Sequence, residues 1–273
     1  MPLQSQRPPS GGFPQEAFTR LAQAEPGNYW FEARNRLIIW AIHRYCPDAA
    51  TLLDVGCGTG FVLQAVQAAF PHLQLSASDL MDRGLAVAQL RVPTATFFHQ
   101  DACALDLPAQ FDIVGAFDVL EHIGDDARAL VSLHAAVRPG GTLLVTVPQH
   151  PWLWSRVDEY ARHVRRYRRR ELMDRLHQTG LEVVRATSFV SLLLPVMAWS
   201  RWRDARRRDV LDPGREFRVS WTTNAILRAI LAAERQLIRW GLSWPAGGSL
   251  LAIARKPLAV PAVNPATPQD RRP

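Results

Sequence analysis

The 273-residue chain has little of what would place it among secreted or membrane-spanning proteins. Its three cysteines, Cys46, Cys57 and Cys103, match the spacing of neither a metal site nor a disulfide framework. An odd count without a secretory pattern favours a reducing compartment, so we expect a cytoplasmic protein. The longest apolar run, Val190 to Trp199, contains a serine and a proline and is too short to cross a bilayer.

The chain also has almost no lysine, since 31 of its 32 basic residues are arginine. The formal net charge of +7 is unevenly distributed. Residues 1–150 carry nine arginines and fourteen acidic residues, whereas residues 151–256 carry twenty arginines, one lysine and ten acidic residues. A basic second half indicates either a solvated basic face or an anionic partner.

The most informative stretch is TLLDVGCGTG, from Thr51 to Gly60. It predicts an apolar strand that ends in Asp54, followed by a tight glycine turn and the start of a helix. Glycines suit this turn because they adopt unusual dihedral angles and let backbone N–H groups approach a ligand. A second predicted strand ends in Asp79, nineteen residues after Gly60, where a carboxylate can accept both hydroxyls of a ribose.

With this motif the chain resembles the class I S-adenosylmethionine (SAM) methyltransferases. The resemblance implies an α/β fold with a Rossmann-like seven-stranded sheet, covering roughly Trp30 to Lys256, and SAM as the cofactor. An RPGG turn before the fifth strand is a further family feature. The dinucleotide fingerprint of NAD and FAD sites, GxGxxG, is the alternative, and it lacks an acid just before the first glycine.

The resemblance also assigns the cofactor contacts. A basic residue on the helix predicted from Trp30 to Tyr45 should meet the methionine carboxylate, and both Arg34 and Arg36 qualify. Asp101 corresponds to the acid that binds the adenine amino group, although it could instead cap the next turn. The expected cofactor-binding residues are Arg34, Asp54, Gly56, Cys57, Gly58, Thr59, Gly60, Asp79, Leu80, Asp101, Ala102 and Phe117.

The residues after the fourth predicted strand offer two kinds of chemistry. Asp118, Glu121 and His122 resemble the E-x-x-E-H metal ligands of ubiquinone-type O-methyltransferases and of small-RNA ribose methyltransferases. Such ligands suit Mg²⁺ or Mn²⁺. The first position is Asp here, and many metal-independent relatives share the LEH sequence, so we favour a site without metal. Asp118, His122 and His150 are then the catalytic candidates, with a histidine as general base.

A cluster of aromatic and histidine side chains follows the fifth predicted strand. Trp152, Trp154, His163 and Tyr167 are expected to line the acceptor pocket there. The alternative is that the tryptophans only cover the core, because tryptophan side chains are usually buried for the large apolar area that they remove from water.

The remaining segments complete the predicted domain plan. Residues 1–28 are an expected disordered leader, 29–187 the SAM-binding core, 188–248 a helical insertion between strands 6 and 7, 249–256 the last core strand and 257–273 a disordered tail. The insertion is apolar and basic, which is compatible with a lid, a dimer face, or a surface over a lipid-like acceptor or an anionic membrane.

We therefore predict a SAM-dependent methyltransferase acting on a small molecule, with an amphipathic, lipid-like or quinone-like acceptor favoured and contact with the inner face of the membrane through the insertion. A nucleic-acid methyltransferase is disfavoured because no recognition module or aromatic-basic motif is present. A SAM-binding scaffold without activity is the non-enzymatic alternative.

Overall fold

A computed structural model describes residues 17–205 and 219–258. In these ranges the chain forms seven strands and nine α-helices, and the seven strands make one sheet. The strands are β1 (Thr51–Val55), β2 (Gln74–Asp79), β3 (Thr96–His99), β4 (Phe111–Phe117), β5 (Val137–Pro148), β6 (Glu182–Phe189) and β7 (Ser249–Arg255). The helices are α1 (Ala17–Ala24), α2 (Tyr29–Tyr45), α3 (Phe61–Ala69), α4 (Asp82–Arg91), α5 (Asp126–Ala136), α6 (Arg156–Tyr160), α7 (Arg169–Gln178), α8 (Leu194–Ala205) and α9 (Trp221–Arg239).

The sheet has the order β3-β2-β1-β4-β5-β7-β6. Strands β1 to β5 pair in parallel, and β7 lies antiparallel between β5 and β6. One buried apolar layer packs α2, α3, α4 and α9 on one face, and a second packs α5 and α7 on the other. This arrangement confirms the predicted α/β fold with seven strands. The chain runs outward from β1 to β3 and returns at β4, so ligands are expected at the carboxyl ends of β1 and β4.

The glycine loop joins β1 to α3 in the predicted way. Gly56, Gly58 and Gly60 all have positive φ angles, of 70°, 53° and 73°. A Cβ atom on Gly56 would lie 2.6 Å from the side chain of Val119. The backbone N–H of Gly56 donates to the carbonyl of Ser78 at 2.7 Å, which fixes the loop against the end of β2.

The prediction of a disordered leader over residues 1–28 is wrong for its last part. Residues 17–24 form α1, in which Ala17 and Phe18 are buried, while residues 1–16 lie outside the described residues. Helix α1 forms because Phe18 packs against the glycine loop, with its ring 3.7 Å from where a Cβ on Gly58 would stand. Burial of this one apolar ring stabilises the packing of α1 against the core.

The insertion between β6 and β7 contains α8 and α9 in its described part, and residues 206–218 of the predicted basic segment lie outside that part. Helix α9 packs along α2. Strand β6 extends to Phe189, so the inserted helices begin slightly later than the predicted residue 188. Most of the predicted disordered tail, from residue 259 onward, lies outside the described residues. No helix in the described ranges is long and apolar enough to cross a membrane.

Candidate active site

A cavity of about 830 Å³ lies at the carboxyl ends of the parallel strands. One end is formed by the glycine loop and by the residues after β2 and β3, including Gly58, Asp79 and Asp101. The other end is formed by residues after β4 and by the inserted helices, including Asp118, Met197 and Leu227. Both ends belong to one continuous space, so molecules bound at the two ends would meet beside the end of β4.

At the first end, Asp79 is held by backbone donors. Its two carboxylate oxygens accept hydrogen bonds from the N–H groups of Gly58 and Met81, each at 2.8 Å. Burial raises the pKa of Asp79 above its ordinary value, and the backbone hydrogen bonds oppose that shift. Each carboxylate oxygen has a second lone pair for a ligand hydroxyl.

Asp54, at the end of β1, is fully buried and lines the same end of the cavity. Burial raises its pKa to about 7, and the nearby Arg34 opposes this shift. Its Oδ2 atom has no hydrogen-bond partner among the described residues. A buried carboxylate oxygen without a partner is costly, so this atom indicates a place for a ligand donor.

A buried polar cluster joins α1 and α4 to the glycine loop. The Thr59 hydroxyl lies 2.6 and 2.8 Å from the two carboxylate oxygens of Glu25, and Arg91 donates to Glu25 at 2.6 Å. Arg91 also donates to the carbonyl of Ala22 in α1 at 2.8 Å. Glu25, which follows α1, lines the cavity and is 3% exposed. The cluster therefore holds α1 over the first end of the cavity.

Of the two candidate arginines on α2, the structure directs Arg34 into the cavity. Arg34 is buried and donates from Nη1 to Oδ2 of Asp118 at 2.6 Å, across the end of β4. Arg36 is on the exposed side, paired with Glu32. Asp118 has a φ angle of 58°, a left-handed conformation that is uncommon for a residue other than glycine. This turn directs the chain after β4 along the cavity.

At the second end, His163 is oriented by a buried carboxylate. Nδ1 of His163 lies 2.9 Å from Oδ1 of Asp158. Arg166 donates to the same carboxylate at 2.8 and 3.1 Å. These partners lower the pKa of Asp158 to about 2 against the effect of its burial. Asp158, His163 and Arg166 all line the cavity.

His122 packs edge-on against His163, with ring centroids 4.7 Å apart. Burial, with the neighbouring imidazole as the second cause, lowers the pKa of His122 to about 3. A histidine with this pKa stays neutral at physiological pH and is a weak base.

Glu121, His122 and His163 bring potential metal-ligand atoms within 4.8 Å of one another. Glu121 is 1% exposed, and burial together with nearby Asp118 raises its pKa well above the ordinary value. In the part of the chain that the structure describes, its Oε2 atom has no hydrogen-bond partner. Asp118, the first residue of the predicted metal set, pairs with Arg34 and is not in this group, which contains His163 instead.

Several other predicted site residues do not line the cavity. Tyr167 is fully buried in the core, where its hydroxyl donates to Asp126 at 2.6 Å. The side chains of Trp152 and Trp154 are 59% and 38% exposed, and His150 packs beside Trp152. None of these four predicted acceptor or base residues lines the cavity, because the chain after β5 turns away from it and returns to it at Val157.

Gly60 also lies outside the cavity lining. A Cβ at this position would stand 2.8 Å from the Cβ of Ala88 in α4, so its glycine is needed for helix packing. The remaining predicted cofactor residues all line the cavity: Arg34, Asp54, Gly56, Cys57, Gly58, Thr59, Asp79, Leu80, Asp101, Ala102 and Phe117. Asp101 also accepts a hydrogen bond from the N–H of Cys103, as a capping residue does.

Comparison with known proteins decides the family. A family model described as a methyltransferase domain matches residues 26–186, more than half of the chain. The chain belongs to this methyltransferase family. This result confirms the family that the glycine loop predicted.

Among curated proteins, the chain is similar to the ubiquinone biosynthesis O-methyltransferase of Pseudomonas paraeruginosa. The two are 34% identical over 119 residues, covering 41% of this chain and 50% of the relative. A probable SAM-dependent methyltransferase of Mycolicibacterium smegmatis is 28% identical over 161 residues, covering 57% of this chain and 60% of the relative. The chain thus spans about half the length of the curated relatives it matches.

Among solved structures, the chain is similar to phosphoethanolamine N-methyltransferase 2 of Haemonchus contortus, with a TM-score of 0.60 and 20% identity, covering 89% of this chain and 57% of the other. The N-methyltransferase NodS of Bradyrhizobium japonicum gives a TM-score of 0.55 and 16% identity, covering 89% and 98%. At these identities the likeness shows the fold alone.

Sequence reasoning missed Glu25, Arg91, Asp158 and Arg166. Glu25 lies in the segment predicted to be a disordered leader, and only its burial against the glycine loop reveals it. Asp158 carried a local signal, because Ser155 and Asp158 form a capping box at the start of α6. That sequence pattern predicts the start of a helix, but it does not predict that the carboxylate of Asp158 also binds His163.

Proposed function

We propose that the first end of the cavity holds SAM and that the second end holds an amphipathic small molecule with an oxygen nucleophile. The supporting observation is the continuity of the cavity, which joins the glycine loop to an apolar wall from the insertion, with Leu193, Met197 and Leu227 among its residues. Methyl transfer is an in-line displacement, so alignment of the two reactants is the main requirement.

The residues at the first end suit SAM. The carboxylate of Asp79 accepts the ribose hydroxyls, and Asp101 accepts the adenine amino group. The unpartnered Oδ2 of Asp54 is an acceptor for the ammonium group of the methionine part. The guanidinium of Arg34 then faces the methionine carboxylate, in competition with Asp118. When bound, SAM supplies the electrophilic methyl group.

For the acceptor, we assign the general base to His163. Asp158 accepts from Nδ1 of this ring, which leaves Nε2 to take the proton of an acceptor hydroxyl as the oxygen attacks the methyl carbon. Asp158 stays ionised because Arg166 pairs with it, and it stabilises the imidazolium that forms. His122 is a weak base, because burial lowers its pKa to about 3.

A second candidate mechanism uses a divalent cation held by Glu121, His122 and His163. The convergence of their ligand atoms within 4.8 Å and the unpartnered Oε2 of Glu121 favour it. Asp158 would then orient the ligand His163, as carboxylates commonly do for metal-bound histidines. A bound cation would supply orientation of the acceptor oxygen. His163 cannot serve as base and ligand through the same nitrogen, so the two mechanisms exclude each other.

The acceptor class is tested by methyl transfer from labelled SAM into an extract of the source cells, partitioned between organic and aqueous phases. We expect label in the organic phase. Label that remains aqueous after nuclease treatment would replace the amphipathic acceptor by a polar metabolite. Nuclease-sensitive label would indicate a nucleic acid, and SAM binding without any labelled product would favour a binding role.

The two mechanisms are separated by exhaustive chelation followed by gel filtration. With His163 as base, transfer to the identified acceptor is unchanged by chelation. Activity lost on chelation and restored by Mg²⁺ or Mn²⁺ would instead support the cation. Glu121→Gln gives a second readout, because it removes a ligand and leaves the Asp158–His163 pair in place.

A further inference from the structure

Helix α8 has two faces with different surroundings. Leu193, just before the helix, and Met197, Ser200 and Arg201 line the cavity. Pro195, Trp199 and Trp202 recur every three or four residues on the opposite side and are exposed. The helix is therefore a wall, with the proposed acceptor space on one side and solvent on the other.

The outer side of this wall is strongly apolar. The side chains of Val196, Trp199 and Trp202 are 59%, 58% and 54% exposed. Trp152 is exposed on the 3₁₀ turn Pro151–Leu153, which packs against α8. We call Trp152, Pro195, Val196, Trp199 and Trp202 the tryptophan face. Exposed aromatic residues grouped in this way mark an interaction site.

The charge around the tryptophan face is positive. The guanidinium carbon of Arg203 lies 4.9 Å from the ring centroid of Trp199. The described residues of the insertion, 188–205 and 219–248, contain five arginines and two acidic residues. Tryptophan prefers the boundary between headgroups and acyl chains, and arginine is attracted to anionic headgroups. Together they have the composition of a helix that lies in the plane of a membrane interface.

The mouth of the cavity is beside this face. Val196 lines the cavity and is also more than half exposed, so it stands at the rim between the two. The preceding turn is firmly anchored, because buried Glu234 of α9 accepts from the N–H groups of Ser191 and Leu192 at 2.7 and 2.8 Å. Docking through α8 would therefore orient the whole core and bring the cavity mouth to the surface that α8 contacts.

We propose that the tryptophan face docks on an anionic phospholipid bilayer and that the acceptor enters the cavity from it. This inference rests on the proposed function for the nature of the acceptor, and the docking itself does not depend on methyl transfer. A second copy of the chain is the competing occupant of the face.

The test is cosedimentation of the full chain with vesicles of phosphatidylcholine containing about one-third phosphatidylglycerol. Trp199→Ala/Trp202→Ala is expected to lower the partition coefficient at least about tenfold. Trp199→Phe/Trp202→Phe should restore most of the binding. Trp240→Ala, which removes a 75% exposed tryptophan at the end of α9, is the matched control and should bind like the parent.

Three results would overturn the docking proposal. The first is equal vesicle binding by the parent and the double alanine variant, and the second is equal binding of the parent to anionic vesicles and to pure phosphatidylcholine at all salt concentrations. The third is a parent protein that forms a dimer and binds no vesicles, with a double variant that is a monomer. Retained SAM affinity in the double variant excludes misfolding. Vesicle binding without transfer to any organic-phase acceptor would leave docking supported and refute the proposed acceptor class instead.

Discussion

Glu25 gives the sharpest test of how the cofactor end is assembled. Its carboxylate contacts the Thr59 hydroxyl of the glycine loop and the Arg91 guanidinium of α4, while its backbone continues α1. Its side chain is 4% exposed and that of Arg91 is 14% exposed. Replacing Glu25 by alanine leaves the Arg91 charge buried without its carboxylate.

The size of the effect follows from this burial. Removing one partner of a buried ion pair costs about 3 kcal/mol or more, because the remaining charge stays desolvated. If SAM binds only when α1 is docked, Glu25→Ala weakens SAM binding by up to about 100-fold, since 1.4 kcal/mol corresponds to about tenfold. Glu25→Gln keeps one acceptor for Thr59 and loses the charge, so we expect SAM binding that is about tenfold weaker.

The assay is SAM affinity by titration calorimetry, with limited proteolysis of α1 as a structural readout. Glu32→Gln is the control, because Glu32 forms a more exposed pair with Arg36 on α2 and should change affinity by less than about twofold. If Glu25→Ala bound SAM as tightly as the parent while α1 became sensitive to protease, α1 would not be part of the cofactor site and the reasoning would fail.

Three further predictions concern the same cavity. SAM affinity should rise about tenfold between about pH 6 and pH 8, because burial raises the pKa of Asp54 to about 7 in the free protein and the bound ammonium favours its ionised form. Asp54→Asn should flatten this pH dependence in calorimetry at several pH values, and an unchanged slope would assign the pH dependence to another group. Gly56→Ala should abolish SAM binding in an equilibrium assay, since its φ is 70° and its Cβ would stand 2.6 Å from Val119; binding within about threefold of the parent would contradict the close approach of the loop. His163→Ala should lower the rate at saturating SAM by about 100-fold or more, whereas His150→Ala should leave it unchanged, and the reverse result would return the base to the chain after β5.

The cofactor end could be predicted from sequence because its signals are local. The positive φ angles of the glycine loop and the acid that ends β2 both lie within about thirty residues of Thr51. The order of the strands then brings Asp54, Asp79 and Asp101 to one sheet edge. Each of these residues is set by its own strand end, so the positions could be read without knowing any long-range contact.

The acceptor end could not be predicted in the same way, because it depends on contacts across the fold. Trp152 and His150 follow β5 directly and looked like pocket residues, but the 3₁₀ turn at Pro151–Leu153 carries them outward. His163 reaches the cavity only after α6, where it meets Asp158 and packs beside His122 of the turn after β4. Tyr167 was misassigned because its hydroxyl, which suggests a site, satisfies Asp126 in the core.

The extent of the family match also explains why the relatives do not identify the acceptor. The family match ends at residue 186, three residues before the end of β6. The wall built from Leu193, Met197 and Leu227 lies beyond that point. In the function proposed above, residues inside the match bind the cofactor and supply the His163–Asp158 pair. The same proposal gives α8 and α9 the selection of the acceptor, so substitutions in these helices should change which molecule is methylated while SAM affinity stays the same.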